Sequence, residues 1–213
     1  IGIYAADPVI EDTSLDATEL AMYLHHPASF PTLARNEYSG GGRSAIGVAG
    51  GHIDRSGTWD AGGLAYFRVD GDIDVGAAAV LKLTPGTSVR FAQDAALDVA
   101  GRLEAVGSEA APIALRSATA TTRWNGLYVG PGATAELDRV TIENASRAED
   151  LRGIRTASSL TIDGGRVTVR RSQIGGGGTA VAILGAEPEI SDCALTASEY
   201  AIYNYSPGRF PLL

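Results

Sequence analysis

Three aspartates, Asp70, Asp72 and Asp74, occupy alternate positions in the sequence. Alternate carboxylates can wrap around a hard cation such as calcium. In a β-strand, however, the three side chains share one face and form a solvated edge. No glutamate follows at the position of the bidentate ligand of an EF-hand loop. We therefore predict neither a metal nor a cofactor, and keep calcium at these three aspartates as the alternative.

Aromatic side chains supply a second kind of chemistry. Four tyrosines follow an apolar residue in short triplets of apolar and small residues: Tyr4, Tyr23, Tyr128 and Tyr203. If the apolar residue points to the core of a strand, alternation sends the tyrosine outward, and stacked coils would align Tyr4 with Tyr23. Exposed tyrosines can stack on sugars or contact a protein. The alternative is that each tyrosine only caps its strand or is covered by a loop.

Charged residues that could act together on a polysaccharide form a third set: Glu136, Asp138, Glu143, Arg155, Arg170 and Arg171. A carboxylate pair among them could perform acid–base hydrolysis of a glycosidic bond. Such residues also occur on the solvent side of any strand, and no histidine lies nearby in the sequence. His25 and His26 are adjacent, so they point to opposite faces, and His52 lacks a zinc-ligand spacing. We predict no catalytic residue, and keep a carbohydrate-active enzyme as the alternative.

Composition limits the elements that could position these groups. The chain has 213 residues, 45% of them hydrophobic, which suits one sizeable core. Aromatics make up only 7%, so the core is expected to consist of Ala, Val, Ile and Leu. A net charge of −8 argues against a nucleic-acid partner. No apolar run reaches the length of a membrane span, and the single Cys193 excludes an internal disulfide.

An internal repeat organises the chain. Residues 1–33 align without a gap to residues 181–213, with 14 identities in 33 positions, where chance gives roughly two or three. The chain therefore consists of one complete unit, 1–180, and the beginning of a second. It starts at Ile1, with no Met and no secretion signal. We expect it to be a piece of a longer repeat array.

Within the unit, short strands are separated by turn residues. Outside the segment 47–126, apolar triplets recur at intervals of roughly 20 to 30 residues. This interval is the length of one solenoid coil. Gly, Pro, Asp or Ser separates them from second short strands. Two or three short strands per coil are typical of a parallel β-solenoid.

The repeat and the strands together predict the domain organisation. We predict one all-β domain over 1–213, with the end of one module in 1–50 and the next module in 51–180. The segment 181–213 begins a copy of 1–33, and the module junction lies near residues 50–63.

Five segments carry a family resemblance: residues 85–91 (PGTSVRF), 97–107 (LDVAGRLEAVG), 111–117 (APIALRS), 124–129 (WNGLYV) and 137–145 (LDRVTIENA). In this order they resemble the right-handed parallel β-helix repeat proteins of bacterial cell surfaces. The resemblance implies a right-handed, single-stranded parallel β-helix with short strands in stacked coils. It is specific for architecture, because this scaffold carries adhesins, stalks, lyases and hydrolases alike.

The expected function is therefore non-catalytic. We expect a structural or adhesive segment of a secreted or surface-anchored protein, located outside the cell or at its surface. Its expected partners are a glycan or a cell-surface protein, and the coils favour end-to-end or lateral self-association because open strand edges can pair. Neither a nucleic-acid partner nor a transmembrane segment is expected. The alternative is a polysaccharide lyase or hydrolase on the same scaffold.

Overall fold

The computed structural model describes the chain except residues 41–44, 152–153, 207, 209–210 and 213, and it leaves out the side chains of residues 148–156. Every regular element in the described residues is a β-strand. These residues contain no helix of the length and apolar character needed to cross a membrane. The predicted all-β fold is therefore confirmed.

The described strands are short, and most hold three to five residues. The first nine are β1 (Gly2–Ile3), β2 (Val9–Glu11), β3 (Ser14–Asp16), β4 (Met22–Leu24), β5 (Thr32–Ala34), β6 (Glu37–Ser39), β7 (Ala45–Val48), β8 (Gly51–Ile53) and β9 (Gly57–Trp59). The next nine are β10 (Tyr66–Val69), β11 (Ile73–Val75), β12 (Val80–Leu83), β13 (Ser88–Phe91), β14 (Leu97–Val99), β15 (Arg102–Val106), β16 (Ile113–Ser117), β17 (Leu127–Val129) and β18 (Thr134–Asp138). The last nine are β19 (Val140–Glu143), β20 (Arg147–Leu151), β21 (Ile154–Asp163), β22 (Arg166–Arg170), β23 (Gln173–Gly175), β24 (Thr179–Leu184), β25 (Glu189–Ser191), β26 (Ala194–Thr196) and β27 (Tyr200–Asn204).

Parallel pairing stacks these strands into a β-solenoid of about 8 turns. A nine-stranded sheet has the order β1-β4-β7-β10-β13-β16-β19-β23-β26, and an eight-stranded sheet contains β27-β24-β21-β17-β14-β11-β8, with β20 beside β21. A six-stranded sheet has the order β25-β22-β18-β15-β12-β9. Each complete coil from β7 onward contributes one strand to each of these three sheets. The predicted parallel solenoid is confirmed, and its right-handed sense remains a prediction.

The first two coils differ from the rest. Only β1 and β4 join the nine-stranded sheet, whereas β2 pairs with β5 and β3 pairs with β6 in two separate two-stranded sheets. The eight-stranded and six-stranded sheets begin only at β8 and β9. The change of sheets therefore falls between β6 and β8. The division of the chain into modules remains a prediction.

The sequence repeat is also a repeat of strand register. Gly2 pairs with Tyr23 at the start of the chain, and their equivalents in the copy, Ala182 and Tyr203, pair in the same way. The pair of Val9 with Thr32 recurs as the bridge between Glu189 and Leu212. However, β1 lies in the nine-stranded sheet, while its copy lies within β24 of the eight-stranded sheet. The copy of β1 therefore lies on the next of the three sheets around the coil, not on the sheet that contains β1 itself.

The core runs along the solenoid axis between the three sheets. Alternation buries one set of side chains in each strand, as in β15, where Leu103 and Ala105 are fully buried between partly exposed neighbours. Most core residues are Ala, Val, Ile and Leu, as expected. Two aromatic stacks add bulk: Trp59 with Phe67, and Phe91 with Trp124, whose ring centroids lie 4.2 Å apart. Stacking these rings joins neighbouring coils through the core.

Candidate functional site

The outer face of the nine-stranded sheet carries a row of three arginines. Arg68 of β10, Arg90 of β13 and Arg116 of β16 are register partners on consecutive coils, which lie about 4.8 Å apart. Their neighbours along each strand point into the core, so alternation turns the arginines outward. We name Arg68, Arg90 and Arg116 the arginine ladder. Like charges placed directly opposite one another are destabilising, and this ladder lies on a chain of net charge −8.

One end of the ladder is neutralised within the protein. The Arg68 guanidinium donates to both carboxylate oxygens of Asp70, over 3.0 and 3.2 Å. The Tyr23 hydroxyl donates to the same carboxylate over 3.1 Å. Burial, followed by this hydrogen bond to Asp70, raises the pKa of Tyr23 above its ordinary value. Arg68 therefore has its anion already, supplied by the chain itself.

The other two arginines have no such anion. The Arg90 guanidinium lies over the Tyr66 ring, 3.7 Å from its centre, which is a cation–π geometry. Among the described residues, no carboxylate lies within ion-pair distance of Arg90 or Arg116. Their Nε atoms are buried and have no hydrogen-bond partner in that part of the chain. Because the Nε atoms are closed to solvent, an incoming anion would pair with the Nη groups, and charge-assisted hydrogen bonds of this kind are strong.

A cavity of about 320 Å³ opens beside these two arginines. Thr119 of the loop after β16 and Asn144 of the turn after β19 also line it. Glu143 lines it as well and is the register partner of Arg116, so the positive row ends there. A shallow hollow of about 420 Å³ lies next to the cavity and shares Glu143 and Asn144 with it. Together they form a polar depression across several coils.

Two of the predicted tyrosines lie together near the beginning of the nine-stranded sheet. Tyr4 is 71% exposed and stacks on His25 with ring centroids 4.0 Å apart and planes inclined by 5°. Tyr23 also contacts His25, at 4.8 Å between centroids. By register, Ile3 pairs with Leu24, so Tyr4 faces His25 rather than Tyr23. The histidine therefore joins the two tyrosines into one aromatic cluster.

The other two predicted tyrosines lie on the eight-stranded sheet, apart from that cluster. The Tyr128 ring lies under the Arg147 guanidinium at 4.9 Å, and its hydroxyl donates to Asp163 over 2.8 Å. Tyr203 is 37% exposed and packs against Tyr200 and Tyr205. The four tyrosines thus occupy three places instead of one strip. Their role in binding stays a prediction.

A second polar row follows the outer face of the eight-stranded sheet. His52, Asp74, Asp98 and Tyr128 are register partners on successive coils and line a cavity of about 170 Å³. Arg147 of β20 reaches across the row and pairs with Asp98 at 2.5 Å. Desolvation, followed by the charge of Asp98, raises the pKa of Asp74. The two carboxylates therefore have different environments, an arrangement that acid–base chemistry uses.

The three aspartates of the calcium hypothesis do not converge. Asp70 pairs with Arg68, the Asp72 carboxylate accepts a hydrogen bond from the Ala96 amide over 2.8 Å, and Asp74 belongs to the second polar row. Within the described residues, no three His, Cys, Asp or Glu side chains form a group that could hold a metal ion. The calcium site remains an untested alternative.

The charged residues considered for catalysis divide among the three sheets, since Arg155 lies in β21 of the eight-stranded sheet. Asp138 pairs with Arg171 through an Nε–Oδ1 contact of 2.9 Å, and Arg170 pairs with Glu189 at 2.9 Å. Glu136 lies on the six-stranded sheet as the register partner of Glu104. Glu143 lies on the nine-stranded sheet, and the Arg155 side chain is outside the described part of the chain. Asp138 and Arg170 are register partners on the six-stranded sheet, whereas Glu143 and the Arg155 backbone belong to the other two sheets, so the set does not lie on one face.

The arginine ladder was missed in the sequence. Its only local signal is an arginine between two inward-pointing residues, seen at Arg68, Arg90 and Arg116. Comparison of the chain with protein-family models, curated proteins and solved structures finds no match.

Proposed function

We propose that this chain is a non-catalytic, rod-forming segment of a repeat protein outside the cell or at its surface, with an outer face that contacts a glycan or a protein. One observation carries the proposal. The sequence copy at 181–213 adopts the same strand register as the original at 1–33, because Gly2 with Tyr23 and Ala182 with Tyr203 are equivalent pairs. A following unit can therefore continue the ladder of β27 through the equivalents of β4 and β7, while the ladders of β25 and β26 reach the equivalents of β5 and β6.

A rod suits these coils for a physical reason. Each coil adds about 4.8 Å along the axis, so about 8 turns extend about 40 Å. Each coil buries its apolar side chains only against its neighbours, and length can then grow by adding units. A rigid rod of this kind separates its ends and presents outer side chains at fixed positions.

The register also predicts how units are oriented. The copy of β4 lies within β27, and β7 follows β4 in the nine-stranded sheet. In a tandem protein, the eight-stranded sheet of one unit therefore continues as the nine-stranded sheet of the next. Each unit is therefore rotated about the solenoid axis relative to its predecessor, so that equivalent strands fall on neighbouring sheets. Successive arginine ladders then face different directions around the rod.

The test is a tandem protein in which residues 1–180 are followed by residues 1–213. Small-angle scattering and electron microscopy should show one straight rod, longer than the single chain by about 34 Å for the added seven coils. A matched protein with a flexible Gly/Ser linker between the units serves as the control. Two bodies that move independently in the tandem protein, as in the control, would overturn the proposal.

A second candidate function is hydrolysis or lysis of a polysaccharide, and the second polar row favours it. Asp74 and Asp98 are adjacent carboxylates, and Arg147 and His52 stand beside them. The assay is incubation with acidic and neutral polysaccharides, with detection of reducing ends and unsaturated products. Turnover that is lost in Asp98→Asn and Asp74→Asn would replace the rod proposal by an enzyme. The rod proposal expects no turnover by either the parent or the variants.

A further inference from the structure

We propose that Arg90, Arg116 and the cavity beside them bind the acidic groups of a linear anionic polysaccharide. The inference rests on the proposed function, because it names the ligand class of the outer face described there. It concerns Arg90 and Arg116, the part of the arginine ladder that has no ion pair within the described residues. Arg68 is excluded, since its guanidinium is already paired with both carboxylate oxygens of Asp70.

The guanidinium groups of Arg90 and Arg116 are the donors of the proposed site. A guanidinium presents five N–H groups in a rigid plane that matches a carboxylate or a sulfate. Among described residues, Arg90 and Arg116 have no ion pair, and their Nε atoms are buried without a partner. Hydrogen bonds to charged groups are the strong ones. The Nε atoms are closed to solvent, so an anion that enters the cavity pairs with the Nη groups of these two arginines, which have no ion pair among the described residues.

Arg90 is held in place before any ligand binds. The Tyr66 ring supports the Arg90 guanidinium from one side at 3.7 Å. A cation held over an aromatic face keeps its edge available for hydrogen bonds in its own plane. Arg90 therefore loses less side-chain freedom when an anion binds. An isolated surface arginine has no such support.

The two arginines are aligned along the solenoid axis. Arg90 and Arg116 lie on consecutive coils, about 4.8 Å apart along the solenoid axis. A linear polymer that runs parallel to this axis meets one arginine and then the next. The repeated spacing therefore favours a chain with repeated acidic groups.

Polar residues beside the two arginines favour a glycan over other polyanions. Thr119 and Asn144 line the cavity, and hydroxyl and amide side chains suit the hydroxyls of a sugar; the Thr119 hydroxyl also bonds the Thr122 hydroxyl over 2.8 Å. A nucleic acid is disfavoured because the chain has a net charge of −8 and duplex binding depends on displacing many counterions. An acidic polypeptide would not use the hydroxyl partners in this way. It is one outcome of the test below.

Glu143 gives the site a built-in control. Glu143 lines the same cavity and is the register partner of Arg116. It therefore repels an acidic ligand at one end of the site. Removing this charge by Glu143→Gln should strengthen binding of an acidic polymer. Removing Arg116 should weaken it.

The experiment measures binding of the full chain to four probes by calorimetry at low salt. Polygalacturonate presents carboxylates and dextran sulfate presents sulfates, while dextran is the neutral control and polyglutamate is the acidic polypeptide. We expect binding to at least one acidic glycan, no binding to dextran, and weaker binding as salt rises. Tighter binding of polygalacturonate would identify the preferred acid group as a carboxylate, and tighter binding of dextran sulfate would identify it as a sulfate.

The variants locate the binding. Arg90→Gln and Arg116→Gln should each weaken it by about tenfold, and Arg116→Lys should recover part of the loss, because it keeps the charge but not the planar fork. Arg166→Gln is the matched control, since Arg166 is an exposed arginine on the six-stranded sheet. It changes the net charge equally and should change affinity by less than about twofold. Unfolding curves of all variants verify that the fold is kept.

Three results would overturn the inference. Equal losses in Arg116→Gln and Arg166→Gln would mean nonspecific attraction to surface charge. Tighter binding to polyglutamate than to either acidic glycan would assign the site to an acidic protein. Failure to bind any acidic glycan would remove the site, while a straight rod from the tandem protein would still support the proposed function.

Discussion

The Arg90 guanidinium rests on the ring of Tyr66 at 3.7 Å, although the two residues lie on different coils. Phe67 is the register partner of Val89, so Tyr66 faces Ser88 and Arg90 reaches the ring diagonally. The Ser88 hydroxyl is buried there and has no partner among described residues. The contact therefore replaces an ordinary cross-strand pair by a cation–π pair on the outer face.

A double-mutant cycle should detect this contact as a coupling energy. With Tyr66→Leu and Arg90→Met, we expect a coupling of about 0.5–2 kcal/mol in the free energy of unfolding, the range for cation–π pairs. Tyr66→Phe should retain most of it, because the ring is kept. Denaturant unfolding of the four proteins measures it. A coupling of zero would mean that the ring does not hold the arginine.

Asp7 should stabilise the first coils in a pH-dependent way. Arg55 donates two hydrogen bonds to its carboxylate, over 2.7 and 2.6 Å, and this pairing holds the pKa of Asp7 below its ordinary value. A lowered pKa in the folded state stabilises above the unfolded pKa, and the gain is lost as pH falls through the folded pKa. Asp7→Asn should therefore be less stable than the parent at neutral pH, with the difference disappearing in acid. A deficit that stays constant with pH would contradict this prediction.

Asp74 should behave with the opposite sign. Desolvation and the neighbouring Asp98 raise the pKa of Asp74, so the folded chain binds a proton more readily than the unfolded chain. Stability from this group is then lost as pH rises through the folded pKa. Asp74→Asn should be more stable than the parent at neutral pH and should lose this advantage in acid. Thermal unfolding from acidic to neutral pH compares the two aspartates, and changes of the same sign would contradict their assigned environments.

Two glycines with similar backbone angles should differ sharply in their tolerance of alanine. Gly126 has φ +75°, and a Cβ there would lie 2.6 Å from the backbone oxygen of Ser159 on the next coil. Gly132 has φ +78°, but a Cβ there meets nothing within 4 Å. Gly132→Ala should cost about 1–2 kcal/mol for the left-handed backbone alone, and Gly126→Ala clearly more. Equal costs in denaturant unfolding would mean that the coils do not pack this closely.

The fold was predictable because its signals are local. Short strands with alternating apolar residues, glycines at turns and the copy of 1–33 at 181–213 can all be recognised along the chain, and the parallel solenoid confirms the strands. The outward direction of Tyr4 and Tyr203 follows from the same alternation. Their grouping does not follow, because it depends on which residue of the next coil stands opposite. His25 takes that place beside Tyr4.

The arginine ladder shows why grouping requires the tertiary structure. The step in sequence from Arg68 to Arg90 is shorter than the step from Arg90 to Arg116, and the step from Arg116 to Glu143 is longer again. Turns of unequal length absorb these differences, and a shift of one residue in a strand would reverse which side chains face outward. No fixed spacing in the sequence therefore marks the row. Contacts across coils, such as Arg147 with Asp98, are likewise invisible along the chain.

The sequence by itself determined the all-β class, the short strands of a solenoid and the long internal repeat, because alternation and turn chemistry act between neighbouring residues. Only the tertiary structure decided the register of the coils. That register places Arg90 and Arg116, which have no ion pair in the part of the chain that the structure describes, next to Arg68 with its Asp70 partner, and it aligns the carboxylates of the second polar row. Register is fixed by the packing of the whole core and by every turn length together. The surface chemistry of this solenoid therefore depends on how its coils align, while the solenoid itself is predictable from the sequence.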